Sequence, residues 1–533
     1  MTIMNNEIKK YLKTILILLI ILMSCNNSKN IKVNTSGNYS ITLDVNKPVT
    51  KFKKSMLLGT NAGVYYDEAN LLNLNFINYL RQLNPGIIRI PGGSWSNELY
   101  WNGNKVRLSK ESYIDSKIWK EKIKNGENPI VVAFDTSRYK NGQWDVDYSG
   151  YSPGFCIRDT DHHLSDFHGL TDVLFLHKFI HSFNSQTMVT VNMGTGSPDM
   201  AAEWVKWVKN RSEYMLEPFD VKYWEMGNEL DGKWELGHYL KDGKRMDAEE
   251  YIRRYKIFAK SMKNEDPTIK VGGSVASSMK LAFIEELIKD REAPIDFISF
   301  HAYPCSKEDR DLKDMIQKTS EINIAVKKIN NWLEEYRPDE KEKIEIAVTE
   351  WNIKVKEDIT TIDIRNTLWS AAWIGEMIKA GVDIALQWDM FSTKDEGGHG
   401  LFNWNEKEKI PRSQYWSLYL WNKFMGDSFI ETNFHVPSFV KVFATKNDKF
   451  VSLMIINGSE ENDFISILKL PFINSKTKGE VIDFSRKQYL LDTNSLVPIR
   501  SEKPVIGKLK LNREMKVLLK PYSIKIIRIP LYK

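Results

Sequence analysis

Two short apolar runs in this chain each end abruptly in a glutamate. Tyr223-Trp-Glu-Met-Gly-Asn-Glu-Leu-Asp231 carries Glu229 beside Asn228, and Ile346-Ala-Val-Thr-Glu-Trp-Asn352 carries Glu350 beside Trp351. A parallel strand buried on both faces reads as a run of this kind, and in a (β/α)8 barrel the side chains that do chemistry stand at the C-terminal ends of the strands. Two carboxyls facing each other there are suited to glycosidic bond hydrolysis. One attacks the anomeric carbon while the other donates and then accepts a proton, with about 5 to 5.5 Å between them when configuration is retained. Arg89, ending another apolar run just before Pro91-Gly92-Gly93, is placed to keep the attacking carboxylate ionised. The Asn228 amide offers a hydrogen bond to a sugar hydroxyl. Taken singly, each acid is a surface group and the arginine a salt-bridge partner; it is their joint position at strand ends that points to catalysis.

Eight strand-like runs could position these groups: Met56 to Gly59, Ile87 to Ile90, Met188 to Asn192, Tyr223 to Met226, Ile269 to Gly272, Phe297 to Phe300, Ile344 to Val348 and Ile384 to Gln387. Amphipathic segments alternate with them. Met200, Trp204, Trp207 and Val208 share one helical face, and Tyr251, Tyr255 and Phe258 share another. Strand and helix alternating through eight units predict an α/β fold closed into a (β/α)8 TIM barrel. An open doubly wound sheet would call for a phosphate-binding glycine fingerprint, and Gly92-Gly93 lacks the rest of it. The stretch from Trp101 to Phe167 far exceeds an ordinary loop and is expected to build a lid or cleft wall. Its Asp161-His162-His163, with His168 beyond, matches no strong metal-ligand spacing and reads as a polar loop. Past Phe434 the pattern changes to short alternating runs such as Phe439 to Phe443, Phe450 to Ile456 and Ile524 to Ile529, broken at Asn457-Gly458 and Lys478-Gly479, which predicts a C-terminal antiparallel β-sandwich. Ile31 to Phe52 also reads as strands able to join it. The expected partition is a signal peptide at 1–24, a tether and N-terminal strands at 25–54, the barrel at 55–425 and the sandwich at 426–533.

Composition bounds the partners. A formal charge of +6 is spread along the 533 residues with no dense basic block, so nucleic acid is not the leading partner. The 16 Trp, 22 Tyr and 24 Phe supply flat faces for sugar rings, though barrel cores use them too. At the N-terminus Lys9, Lys10 and Lys13 precede the apolar run Ile15 to Met23, which is short for a membrane span and suits a signal sequence. Leu22-Met23-Ser24-Cys25 looks like a bacterial lipoprotein box, which makes Cys25 the expected lipidated residue and a lipid anchor in the bacterial cell envelope the expected location. Cys156 and Cys305 are expected to be free thiols.

Four ordered segments resemble glycoside hydrolase family 51, in the large clan A of retaining (β/α)8 enzymes. Gly227-Asn228-Glu229-Leu-Asp-Gly-Lys-Trp234 is similar to its Gly-Asn-Glu-x-Asp-Gly-x-Trp segment, Arg89-Ile-Pro-Gly-Gly93 to its Arg-x-Pro-Gly-Gly, Val191-Asn192-Met-Gly-Thr195 to its Val-Asn-x-Gly-Thr, and Glu350-Trp-Asn352 to its Glu-Trp-Asn. The resemblance implies Glu229 as acid/base, Glu350 as nucleophile, Asn192 among the substrate contacts, and neither metal nor organic cofactor. Phe300-His301-Ala302-Tyr303 looks like the clan's sixth-strand segment, where an aromatic residue touches the nucleophile, so Tyr303 takes that part with His301 nearby. Two departures bear on the sugar. The furanose-holding Glu that arabinofuranosidases of the family place after the first strand is replaced by Asn61, and Trp388 after the eighth strand resembles a platform beneath the sugar found elsewhere in the clan. α-L-Arabinofuranosidase is the nearest activity implied. A β-glycan endohydrolase acting on glucan, xyloglucan or xylan is the alternative, and a non-catalytic glycan-binding surface lipoprotein a second one.

Overall fold

The computed structural model describes residues 39–531 apart from 46–48, 67, 98, 102–138, 141–142, 145–154, 157–172, 195, 215–220, 239, 241–243, 393–397 and 474–476. The leader with Cys25, most of the Trp101–Phe167 insertion, and Asp161, His162, His163 and His168 lie outside the described residues. Eight strands close into a parallel barrel in chain order. They are β1 (Gly59–Asn61), β2 (Ile87–Ile90), β3 (Gln186–Val191), β4 (Tyr223–Met226), β5 (Lys270–Ala276), β6 (Phe297–Ala302), β7 (Glu345–Trp351) and β8 (Ile384–Gln387), with β8 pairing back onto β1. The first strand starts later than its apolar run implies. Lys54–Leu57 forms a 3-10 turn, and Met56 drops into the barrel floor instead of lying on a strand.

Each strand leads to a helix of the outer ring: α1 (Leu74–Leu83), α2 (Val173–His181), α3 (Pro198–Tyr214), α4 (Ala248–Glu265), α5 (Ile284–Lys289), α6 (Glu321–Tyr336), α7 (Ile364–Ala380) and α8 (Ser413–Phe424). Local chemistry sets several boundaries. Asn73, Asp247 and Asp363 accept backbone N–H bonds at the N-termini of α1, α4 and α7, and Gly381 ends α7 in the left-handed conformation at φ 87°.

Inside the barrel, side chains stack in layers two residues apart, as strand alternation requires. The floor is apolar: Ile87, Met188, Tyr223, Phe297, Ala347, Ile384 and Leu386 pack with Met56. Two residues further along five of these strands stand Arg89, Thr190, Glu225, Ser299 and Thr349, all buried and all polar. The pairing of β6 with β7 slips between Phe300 and His301, and that of β7 with β8 slips between Val348 and Trp351. Such irregularities re-aim the side chains that follow them; Thr349 is the extra residue on β7, and Glu350 comes directly after it.

The C-terminal strands form two sheets. In the larger, Val49–Lys51, Ser428–Ile430, Val440–Lys446, Phe450–Asn457, Ser523–Pro530, Lys478–Ser485 and Val505–Lys510 lie side by side, antiparallel throughout. In the smaller the order is Asn433–His435, Ser40–Thr42, Phe464–Lys469, Glu514–Leu519. Both N-terminal strands therefore join the sandwich. Ser40–Thr42 runs parallel to Phe464–Lys469, so the sandwich is not purely antiparallel. The inner faces meet in an apolar core containing Ile41, Val442, Leu453, Leu468 and Ile527. The other face of the larger sheet packs on the barrel helices: Trp421 lies 5.9 Å from Phe443, and Trp416 5.8 Å from Phe484, between ring centroids.

Gly375 on α7 is what lets the sheet come this close, since a Cβ there would sit 2.5 Å from the Phe443 ring. Replacing it with valine should destabilise the protein by about 1–3 kcal/mol through overpacking. Thermal unfolding of Gly375→Val is the measurement, with a lowered midpoint and an unchanged KM expected.

Candidate active site

Arg89 lies at the centre of the barrel mouth, fully buried, and distributes its donors over four acceptors at the ends of β1, β4 and β7. Nε bonds Glu225 Oε2 at 2.6 Å, Nη1 bonds Asn61 Oδ1 and Glu350 Oε1 at 3.0 Å each, and Nη2 bonds Asn228 Oδ1 at 2.8 Å. The planar fork of a guanidinium suits this, because its donors diverge toward separate acceptors at fixed angles. Glu225 also accepts from Thr190 Oγ1 at 2.7 Å. Burial works against ionising Glu225, but the adjacent Arg89 charge prevails and holds this carboxyl below its usual range.

Glu229 and Glu350 meet above this layer. His301 Nδ1 lies 2.6 Å from Glu229 Oε1 and 3.5 Å from Glu350 Oε2, and one ligand-type atom from each of the three side chains falls within 4.8 Å of the others. That is the close spacing of a retaining pair rather than the wider gap that admits a water molecule. The surroundings of the two acids differ. Glu350 accepts from Arg89 and, at 2.9 Å, from the Tyr303 hydroxyl. Burial, with the Glu229 charge adding to it, leaves this carboxyl above its usual range, although His301, Arg89 and the Tyr303 hydrogen bond pull it the other way. Glu229 has no hydrogen bond from Arg89. Burial pushes it up to about 7, with Asp231 adding to the rise and the Trp234 Nε1–H bond at 2.8 Å opposing it. Glu229 also sits in the left-handed region at φ 47°, directly after Asn228 and Gly227 at φ 76°. A non-glycine residue held there is strained, and strain of this kind gathers at functional sites.

Glu229, His301 and Glu350 are close enough to hold a divalent cation. The Arg89 guanidinium already stands 3.0 Å from Glu350 as a fixed positive charge, so a metal ion would enter against like-charge repulsion in a buried setting.

The other residues singled out in the sequence divide into two groups. Tyr303, His301 and Asn228 touch the carboxyl pair or the Arg89 that holds it. Trp388 is half-buried beside Gly93, whose missing side chain makes room for the ring: a Cβ there would lie 2.7 Å from the indole. Asn61 is buried beneath Arg89 and donates to the Thr349 and Gln387 carbonyls at 3.0 and 3.2 Å, so it positions the arginine instead of facing the cleft. Asn192 ties loops together, donating to the Leu99 carbonyl at 3.2 Å and accepting from Gly196 N–H at 3.0 Å. Cys305 is buried and unpaired, and burial lifts its thiol to about 12.

Several participants escaped the sequence reading. Glu225 was hidden inside its strand run, although an acid in an apolar stretch at the same depth as Arg89 is a usable signal. Asn97 and Glu235 hold the Asn228 backbone and amide: Asn97 Nδ2 donates to Asn228 O at 2.6 Å and to Glu235 Oε2 at 2.8 Å, and Ser94 also bonds Glu235. These residues come from loops, where no periodicity marks them.

The sequence and fold both have relatives. A family model for glycosyl hydrolases family 39 matches residues 220–462, a span that includes both Glu229 and Glu350. A probable alpha-L-arabinofuranosidase C of Aspergillus clavatus is 22% identical over 515 aligned residues, covering 82% of this chain and 88% of that one. The alpha-L-arabinofuranosidase of Thermotoga maritima, solved as an arabinose complex, superposes with a TM-score of 0.66 at 18% identity, covering 92% of this chain and 100% of the other. A Paenibacillus polymyxa family 44 xyloglucanase, solved with xyloglucan, gives 0.60 at 14% identity, covering 93% and 100%. The structural likenesses speak for a shared barrel and sandwich. Joined to the sequence matches across both glutamates, they support a glycoside hydrolase of clan A similar to family 51.

Proposed function

We propose that this protein is a retaining α-L-arabinofuranosidase in which Glu350 is the nucleophile and Glu229 the acid/base. The observation that supports it is the unequal treatment of two carboxyls that lie within reach of one sugar: Arg89 and Tyr303 bond only Glu350, and burial keeps a proton on Glu229 near neutrality. Glu350 attacks the anomeric carbon as Glu229 protonates the departing oxygen, giving a covalent glycosyl ester. Glu229, now ionised, then takes a proton from water as that water displaces Glu350. The His301 imidazole, which burial keeps neutral, touches both carboxyls without adding a fixed charge between them.

A second reading, an endo-acting β-glycanase, draws on Asn61. With its amide committed to Arg89 and two backbone carbonyls, β1 offers the sugar no carboxylate. Assays on 4-nitrophenyl α-L-arabinofuranoside, 4-nitrophenyl β-xyloside, xyloglucan and mixed-linkage β-glucan separate the two. Release of arabinose with the same anomeric configuration as the substrate supports the first, and internal cleavage of the β-glucans with inert arabinofuranosides would replace it by the second.

The leader is read as a lipoprotein signal with Cys25 lipidated, which would anchor the enzyme in the bacterial envelope. Cys25→Ser should move the protein from the membrane pellet to the soluble fraction in a bacterial host, and continued sedimentation with membranes would refute the anchor.

Removing the acid should matter in proportion to how much the leaving group needs it. Glu229→Gln is expected to lose about 10²- to 10⁴-fold in rate on natural oligosaccharides and far less on activated aryl glycosides. Glu350→Gly should abolish turnover of both, with no covalent intermediate detected by intact-protein mass spectrometry. Equal losses on both substrate types in Glu229→Gln would contradict the assignment.

The pH dependence follows from the sign of the shift. An acid raised to about 7 is protonated below that pH and ionised above it, so kcat/KM should fall on the alkaline side of about 7. With an activated aryl glycoside, that limb should flatten in Glu229→Gln.

A further inference from the structure

We propose that Asp389, held by Tyr65 and Tyr66, is a specificity-determining residue that hydrogen-bonds a ring or exocyclic hydroxyl of the sugar seated against Glu350. This rests on the glycosidase reading and adds the group that selects the sugar. Asp389 follows Trp388 directly at the mouth end of β8, and its neighbour Met390 donates its backbone N–H to Asn61 O at 3.1 Å, which sets the carboxyl beside the end of β1. The Tyr66 hydroxyl donates to Asp389 Oδ2 at 2.8 Å and the Tyr65 hydroxyl to the same oxygen at 3.2 Å. Both donors converge on one oxygen, which leaves Oδ1 with no hydrogen bond to the described residues.

The carboxyl thus has one oxygen fixed by the tyrosines and the other still able to bond a group entering from the cleft. The tyrosines are themselves fixed by packing. Tyr65 lies 4.9 Å from Tyr66 and 5.3 Å from Trp95 between ring centroids, and Tyr66 lies 5.2 Å from Phe391. Tyr65 is half-buried and Asp389 retains 5% exposure, so the pair borders the opening. Burial pushes Asp389 up to about 8, with the charges of Glu357 and Glu350 adding to the rise. A protonated Oδ1 can donate to a hydroxyl oxygen while its tyrosine-bound partner stays fixed. The ligand chemistry is therefore a neutral polyhydroxylated ring, and one hydroxyl of it in particular.

The test compares the aryl glycoside that the wild type turns over fastest with its singly deoxygenated analogues. Asp389→Ala should lower kcat/KM for the parent glycoside roughly 10- to 100-fold, in line with the ~1–3 kcal/mol left when a buried polar partner is removed, while leaving one deoxy analogue unaffected. Asp389→Asn, which keeps a donor and an acceptor, should fall between wild type and Asp389→Ala. The ratio between parent and analogue does not depend on the fraction of folded enzyme. Should Asp389→Ala fail to fold, Tyr65→Phe reads the same ratio with a smaller effect. A uniform fall across all the analogues would overturn the assignment of Asp389 alone. Wild-type inactivity toward every aryl glycoside would overturn the functional reading, and this inference with it.

Discussion

One buried cation organises the mouth of this barrel. Arg89 has lost all contact with solvent, and its charge is balanced by Glu225 at 2.6 Å and Glu350 at 3.0 Å. Two carboxyls share that one guanidinium in a place where desolvation disfavours ionisation. Burial in that setting also raises Glu229 to about 7, with Asp231 adding to the rise. In the proposed mechanism, the division between acid and nucleophile follows from which glutamate the arginine bonds. Removing Glu225 would leave the buried guanidinium with Glu350 as its one carboxyl partner and its Nε donor unmet, so the cluster binds fold and chemistry together.

The barrel makes such a cluster possible through its two-residue period. Apolar side chains fill the floor, and the next inward positions on β2, β3, β4, β6 and β7 are polar, where Arg89 and Thr190 both donate to Glu225 away from water. The slips in strand pairing near His301 and Glu350 then break the strict alternation at the rim. Without the slip on β7, Glu350 would follow the inward Thr349 onto the outer face and would not meet Glu229 and His301. The order of a sheet builds the support, and its local irregularity aims the reactive groups.

This division also explains what could be read from the sequence. The eight strands, both glutamates and Arg89 were legible because strand ends carry a signal: an apolar run, then a charged residue, then glycine or asparagine. The start of β1 was misjudged because Met56 is as apolar as a strand residue but serves as a plug beneath the barrel. Asn61 and Asn192 looked like substrate contacts from type and position alone, yet an amide can bond in several directions, and theirs are taken up by Arg89 and by loop backbone. Glu225, Asn97, Glu235 and the Tyr65–Tyr66–Asp389 group were not singled out. Their importance lies in partners distant along the chain, and no period or spacing records a contact of that kind.

The parts of the site differ in how freely they can change. The inward layer is constrained, since Arg89 and Thr190 both donate to Glu225 and replacing that glutamate leaves two buried donors short of a partner. The groups that border the opening come from separate loops: Tyr65 and Tyr66 after β1, Trp95 after β2, Trp234 after β4, and Trp388 with Asp389 after β8. Trp234 is 54% exposed even while its indole bonds Glu229, so much of its surface answers to whatever enters the cleft and not to the core. Loops of this kind can be exchanged without unsettling the charge balance beneath them. A chain 22% identical to an arabinofuranosidase over the aligned residues can therefore keep the layer around Arg89 while the loops of its rim are free to differ.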